Sequence, residues 1–495
     1  MAADDFPAGI AVGVRAFSRQ DQPHGTLTES SKPQRQNSRR FVLKVRFAFG
    51  LTEKTIKRYK GERFVIKFIL SSAVGIFLFF APVFGGNVPL VALVDFLKKL
   101  LGAACINYLV LLFCLSLIVT VFLGKVMKIK VFAEYHKEDG LGKIFFYVLA
   151  VIFTVMVITG RGPAQILDPN IGGLALPLAG SVMLTVTFAG WFVVMILKSG
   201  IVEFMGILIE PMMRPCFTLP GCAAVNGIAS FVSAPAVGVF MTEQLYRGRD
   251  YTDREGLTVL TCFSVCSLGF FGVLVSLGGI EHLYAQVVIT SFVLTFVIAA
   301  ICARIPPLSG KRDHYIDGTE QTAQDRVPRK IDHRFRAAVQ AGIARSKELD
   351  FKVFMATLWS AITFTQKIVA YVVSVAIVAL LLAEHTPLFT WLGMPIIPVL
   401  KLLQIPNAAE IAPATLVGIA EIALPVIMIS GKGIAEESIF FITVLSSVQI
   451  IFFTESANAM LESIIPVTVL DLIICFLVRT VIAIPLLALV CHFLF

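Results

Sequence analysis

CAAVNGIASFVSAPAVGVFM (222–241) is apolar throughout, yet Gly and Pro interrupt it and Asn226, Ser230 and Ser233 add polar groups. A membrane-spanning helix needs about 20 mainly apolar residues, and this stretch has that length without the continuity. Charge in the flanks decides whether it crosses or turns back. If 221–246 crossed, with the amino-terminus inside, the 304–352 loop and its 11 Lys and Arg residues would face outward. If it dips in and returns, Arg247, Arg249, Arg254 and that loop all lie in the cytoplasm, as the positive-inside rule requires. The segment therefore reads as a re-entrant hairpin.

Around it, the 495-residue chain is 57% hydrophobic and only 15% charged. Soluble domains carry roughly 25% charged residues, so a soluble globular enzyme and a disordered chain are both excluded. The net charge of +9 does not point to nucleic acid, because 30 of the 42 basic residues fall in 1–67, 125–143 and 304–352, beside apolar runs. The nine cysteines lie in or beside apolar segments without a CxxC and read as small buried hydrophobes. Residues 1–60 are polar and basic with no signal-peptide core, and read as a largely disordered cytoplasmic tail. The basic run from Arg39 to Lys67 suits topological anchoring or contact with anionic lipid head groups.

The expected fold is an all-α polytopic membrane protein with about nine transmembrane helices, at 64–84, 104–124, 144–160, 181–198, 258–278, 284–303, 354–383, 438–454 and 464–494. Residues 88–101, 200–217 and 386–404 are short and amphipathic and suit the membrane surface. The last third of the chain repeats the middle third by element type: IVEFMGILIEPMMRPCFTLPG (201–221) aligns with LFTWLGMPIIPVLKLLQIPN (388–407), and 222–241 with AAEIAPATLVGIAEIALPVIM (408–428). Each unit is span, surface helix, interrupted segment, span, span. Three true spans per unit is an odd number, so the second copy is inverted and its hairpin enters from the opposite face. The organisation is then a tail (1–60), scaffold helices (61–180), a first repeat (181–303), a basic cytoplasmic loop (304–352) and a second, inverted repeat (353–495). Opposed broken segments meeting at mid-membrane are the architecture of secondary transporters, and irregular backbone at that depth must line a cavity or be buried in protein.

GGNVPLVALVDFLKKLLG (85–102), TGRGPAQ (159–165) and NGIASFVSAPAVGVFMTEQLYRGRDYTDREG (226–256) resemble the YjiH family, whose members carry a nucleoside-recognition, or Gate, domain. The second half, with FFTESANAM (452–460), is similar to the Gate domains of concentrative nucleoside transporters, spore-maturation proteins and ferrous-iron permeases. The resemblance covers roughly 60–495. It implies a transporter-like fold with paired hairpins, a bacterial inner-membrane location and a nucleoside as substrate; the basic 1–67 stretch puts the amino-terminus in the cytoplasm.

A polar group in hydrocarbon is costly, so those present are the candidates. In the first hairpin they are Asn226, Ser230 and Ser233, with Pro235 disrupting the helix at a SAPA tip and freeing carbonyls for a ligand or sodium ion; the alternative is that the Ser and Asn only close helix ends. In the second, Glu410 and Glu421 are eleven residues apart, on one face if the helix were continuous. Either carboxylate suits a coupling proton, a substrate amine or ribose hydroxyls, although Glu410 also reads as an exposed hairpin base. FFTESANAM breaks an apolar run with Glu455 and Asn458, and reads either as a discontinuous helix or as a cytoplasmic turn. Gln449 lies one turn earlier, and SVCSLG (264–269) is the counterpart stretch. Lys367 is the only charge between Lys352 and Glu384, and Glu421 or Asp471 is the expected partner. Glu421, Lys367, Asp471 and Glu455 are thus the candidate coupling residues.

No GxxxxGK, GxGxxG, HExxH or GxSxG motif occurs, so neither ATP-driven pumping nor another enzymatic activity is expected, and no metal or organic cofactor beyond Na⁺ or H⁺ as a coupling ion. The expected function is secondary active transport of a small polar metabolite, a nucleoside or an amino acid or short peptide, by alternating access at the two hairpins. The alternative is a non-transporting Gate subunit that assembles with a partner protein, with IDHRFRAAVQAGIARSKELDFK (331–352) as docking surface. The expected partners are the lipid bilayer and a small-molecule substrate, with no nucleic acid; a homo-oligomer stays open.

Overall fold

The computed structural model describes residues 62–81, 88–137, 139–323, 325–327 and 333–495. The 1–60 tail, and most of the basic run from Arg39, lie outside them. Residues Arg63–Phe495 form one unit. The helices that carry the argument are α1 (Glu62–Phe80), α2 (Pro89–Lys125), α3 (Leu141–Thr159), α4 (Gly172–Phe192), α5 (Ile201–Phe217), α6 (Cys222–Val232), α7 (Pro235–Arg247), α8 (Asp253–Phe263), α9 (Leu268–Gly278), α10 (Tyr284–Cys302), α11 (Arg334–Ser346), α12 (Phe351–His385), α13 (Glu436–Gln449), α14 (Ser456–Glu462) and α15 (Val469–Leu494).

Among the described residues six helical stretches are long and apolar enough to cross a membrane, or seven if the bent pair α8–α9 is counted as one span. Two of the nine expected spans are shorter than the sequence suggests. The apolar part of α1 is Phe64–Phe79, and α13 stops at Gln449, where the chain unwinds before resuming as α14. Residues 89–101 form a separate amphipathic piece, with Phe96 and Leu100 exposed on one face. Gly102 takes a left-handed conformation (φ 72°) that kinks α2, and in the piece before it Leu90 and Val94 are buried. Only glycine takes this φ at little cost.

Each hairpin packs on a helix that follows the other hairpin. The second arm of the first hairpin, α7, packs on α14; reciprocally, the second arm of the other hairpin, Leu424–Ile429, packs on α9. Helix α15, about 39 Å long at 1.5 Å per residue, shows that the two hairpin bases lie at opposite ends. At its start, Asp471 pairs with Lys311 (2.7 Å), next to Arg312, whose carbonyl accepts from the Arg254 amide in the first turn of α8, the helix after the first hairpin (3.1 Å). At its far end, His492 donates to the carbonyl of Leu403 (2.8 Å), just before the second hairpin. There the Asn407 side chain accepts from the Ala435 amide (2.9 Å), closing that hairpin's base.

The long basic loop is folded onto its own chain. The apolar residues Ala338, Val339 and Ile343 of α11 are buried against α5, and Arg345 pairs with Glu203 (2.8 Å). Burial pushes the Glu203 carboxyl up to about 7 despite that guanidinium.

Close approach explains the glycine that opens the first hairpin. A Cβ on Gly221 would stand 1.9 Å from the carbonyl oxygen of Gly206 in α5. Gly221→Ala is therefore expected to lower stability by about 1–3 kcal/mol through overpacking. Gly142→Ala in α3, where an added Cβ meets nothing within 4 Å, leaves the thermal midpoint unchanged or slightly higher. Thermal unfolding of the two purified variants checks the contrast.

Candidate functional site

The first hairpin turns where its sequence breaks the helix. Ala234 is extended, and Pro235 opens α7 at the first helical position, where its missing N–H costs nothing. The arms lie close enough that a Cβ on Gly238 would fall 2.7 Å from the Ser230 hydroxyl. Asn226 Nδ2 donates to Thr242 Oγ1 (2.5 Å), tying one arm to the other. Ser233 donates to the Ala229 carbonyl (2.7 Å). Ser230 donates to the carbonyl of Val265 (3.1 Å), inside the unwound stretch 264–267 between α8 and α9, where the axis bends by 41°.

The second hairpin is more irregular, with Pro413, Gly418 and Pro425 reducing it to the short helices Ala408–Ile411, Ala414–Val417 and Leu424–Ile429. Buried Glu421 accepts from the amides of Ala423 (2.6 Å) and Leu424 (2.8 Å), starting the second arm. The tip pairs by backbone with the break after α13: Phe453 N–H donates to Ile419 (2.8 Å) and Thr454 N–H to Ala420 (3.2 Å). Within the break, Ser456 donates to the Ile450 carbonyl (2.6 Å) and Asn458 to the Phe453 carbonyl. Glu455 reaches across to the other repeat and accepts from the Ala236 amide in the first turn of α7 (3.2 Å).

These four irregular pieces meet at one cavity of about 470 Å³. Ser233 and Pro235 line it from the first tip, Cys266 and Ser267 from the first break, Ile422 from the second tip, and Phe452 and Glu455 from the second break. Of the sequence candidates, Ser233, Pro235 and Glu455 stand at its wall. Asn226 and Ser230 are buried behind it, holding the hairpin together. The side chain of Glu421 caps its own arm beside the cavity. Gln449 donates to Thr415 O (2.7 Å) and Thr480 Oγ1 (2.8 Å), bracing the second hairpin from behind, and Asn458 secures the break.

Three expectations are corrected. Glu410 is exposed at the hairpin base. Asp471 caps α15 together with Thr468 and pairs with Lys311. Lys367 binds neither Glu421 nor Asp471, but Asp139 (3.0 Å) and Glu462 (3.7 Å). The sequence reading missed Asp95 and Lys98 of α2 and Ser181 and Thr185 of α4, which also line the cavity, with Phe270 and Phe452 as its aromatic surface. The three charges of 88–101, Asp95, Lys98 and Lys99, were the available signal, but an amphipathic stretch facing a cavity has the same pattern as one facing head groups.

Lys367 belongs to a second cavity, of about 480 Å³. Its lining includes the acids Glu134, Asp139, Glu243 and Glu462 and the bases Lys137, Lys143, Arg247 and Lys367. Lys367 Nζ also donates to the Tyr135 carbonyl (3.2 Å) and lies 4.7 Å from the Tyr135 ring centroid. Lys143 pairs with Glu462 at 2.9 Å. Asp139 lies in the loop before α3, paired with His136 (2.7 Å). Burial works to raise its carboxyl, but His136, Lys367 and Lys143 outweigh burial and hold it at about 2. Lys367→Met strands these buried carboxylates, and a loss of about 3 kcal/mol is expected, read as a lower thermal midpoint in detergent. An unchanged midpoint contradicts the network.

An all-helical chain with several membrane-crossing helices and paired broken segments is a multi-pass membrane protein of the transporter-like class. The nucleoside-recognition (Gate) family model matches residues 179–281, from the middle of α4 through the first hairpin and its broken helix. An uncharacterized protein of Alkalihalophilus pseudofirmus is 33% identical over 441 residues, which cover 87% of this chain and 95% of that protein. The chain belongs to the family of that protein, the YjiH-like Gate membrane proteins. No solved structure matches it.

Proposed function

We propose that the chain is a secondary active transporter of a small polar metabolite, resident in a bacterial inner membrane with its amino-terminus in the cytoplasm. One observation carries the reading. Pro235, the first residue of α7, and Glu455, just before α14, line the cavity at the hairpin tips, and the last residues of the two helices, Arg247 and Glu462, line the charged cavity. From Glu455 to Glu462 is seven residues, about 10 Å along a helix. Two vestibules separated by a thin barrier of broken helices suit alternating access about a fixed site.

The substrate in this reading sits in the tip cavity. Phe270 and Phe452 give a base or other flat group an apolar surface, and Ser181, Thr185, Ser267 and the Asp95–Lys98 pair serve its hydroxyls or charges. A nucleoside fits this chemistry, in keeping with the Gate match; an amino acid or short peptide is the other class. Lys367 and Asp471 have partners of their own, so coupling falls to Glu455, with Glu421 beside it. The carboxylate of Glu455 ties the second repeat to the first turn of α7. Protonation, or a cation on that carboxylate, weakens its bond to the Ala236 amide and frees the first hairpin to move. The assembly-module reading loses support because the apolar face of α11 is already covered by α5.

Uptake into proteoliposomes under imposed proton or sodium gradients tests this. Glu455→Gln is expected to reduce gradient-driven uptake at least about tenfold, since a hydrogen bond to a charged group is worth about 1.5–3 kcal/mol, while the variant still folds and binds substrate. Undiminished coupled uptake in Glu455→Gln, or no gradient dependence in the wild type, contradicts the reading.

A further inference from the structure

The turn that leaves α2 has a composition that suits neither a buried loop nor a solvated one. Residues 125–131, KVMKIKV, are all exposed, and three lysines are interleaved there with Val126, Met127, Ile129 and Val131. The turn is not loose. The Met127 amide donates to the Phe122 carbonyl (3.2 Å) and the Ile129 amide to that of Leu123 (3.1 Å). Behind it, a Cβ on Gly124 would fall 2.5 Å from the carbonyl oxygen of Phe132, in the short helix Lys130–Tyr135. The backbone is pinned while its side chains stay uncovered. Lys125, Lys128 and Lys130 make no ion pair or hydrogen bond with a described residue. In the 304–352 loop, by contrast, Arg304, Lys311, Arg326 and Arg345 are all tied to partners within the chain.

What covers this patch follows from its place. Among the described residues, α2 and α3 are the least buried of the candidate spans. Leu112, Leu115, Val119 and Phe122 form an exposed stripe along α2, and Leu141, Phe145, Val148 and Ile152 one along α3, each at the spacing of a single helix face. On membrane-crossing helices such stripes face acyl chains. The turn lies where the first stripe ends and shortly before the second begins, at the level of the head groups. Apolar side chains sink into that boundary, and lysines keep their stems among the chains and their ammoniums outside. Charge then selects the head group. Counted through Glu138, which is not among the described residues, 125–138 holds four lysines and two glutamates. Glu134 is engaged by Lys137 (3.7 Å), and the 1–61 segment is itself net basic. We propose that residues 125–131 bind an acidic phospholipid, its phosphate among the ammoniums of Lys125, Lys128 and Lys130 and its chains against Phe122 and Val126. The site does not depend on the substrate or the coupling assigned to the tip cavity.

The test measures lipid contact at the turn itself. A bimane fluorophore is attached at Phe122→Cys in full-length protein with the native cysteines replaced. The protein is reconstituted into phosphatidylcholine vesicles containing increasing chain-brominated phosphatidylglycerol or, in parallel, chain-brominated phosphatidylcholine. Bromine quenches at contact, so the two series give the relative affinity of the turn for the acidic lipid. With Lys125, Lys128 and Lys130 in place, phosphatidylglycerol is expected to be preferred at least about tenfold, and less so as salt is raised. A lysine beside an acidic lipid surface is worth about fivefold. Lys130→Gln alone is therefore expected to lower the preference about fivefold, and Lys125→Gln, Lys128→Gln and Lys130→Gln together to abolish it. A second reporter at Leu489→Cys, exposed near the end of α15, is expected to respond to none of these substitutions. Equal quenching by the two lipids with the lysines in place overturns the proposal. So does a preference that survives the triple substitution, or an equal loss at the Leu489 reporter. Should the triple variant fail to fold, an undiminished preference in Lys130→Gln overturns it.

Discussion

Backbone amides and carbonyls removed from water must find partners within the protein, and this constraint organises the structure. Two hairpins and two broken helices expose such groups where an unbroken helix would satisfy them internally. The groups are met by one another. The second tip pairs with the second break through Phe453 to Ile419 and Thr454 to Ala420. The first tip is held to the first break through Ser230 and Val265, and to the second through Glu455 and Ala236. No one of the four can stay broken without its neighbours, so they gather in one place and leave a cavity between them.

The same constraint ties structure to the proposed movement. Glu455 is the contact by which one repeat's carboxylate satisfies the other repeat's helix start. Two main-chain pairings and the Glu421 cap fasten the second tip within its own repeat, which makes it the more firmly anchored of the two. The first hairpin is joined to the second break by a side chain whose charge can change. Movement that opens one vestibule and closes the other is therefore expected in α7, whose far end carries Glu243 into the second cavity.

Much of this was legible in the sequence. The folding back of 222–247 as a hairpin and the polar break at FFTESANAM both follow from apolar length interrupted by Pro, Gly and charge. Two things were not legible. Residues 88–101 show an amphipathic pattern that is the same for a head-group surface and for a cavity wall, and only the structure shows that Asp95 and Lys98 line the cavity. The partner of Lys367 was sought on neighbouring spans, whereas Asp139 comes from a loop that sequence spacing cannot place. Asn226, Ser230 and Gln449 were recognised as buried polar residues, but burial alone does not tell a ligand contact from a bond that closes a hairpin.

The central claim is that two hairpins enter from opposite faces and return without crossing. Side-specific thiol labelling of single cysteines at Thr218, Gly248, Asn407 and Lys432, in a background with the native cysteines replaced, tests it directly. The account predicts that the first two label from one face of the membrane and the last two from the other. Labelling of Thr218 and Gly248 from opposite faces would make the first segment a true span and contradict the account.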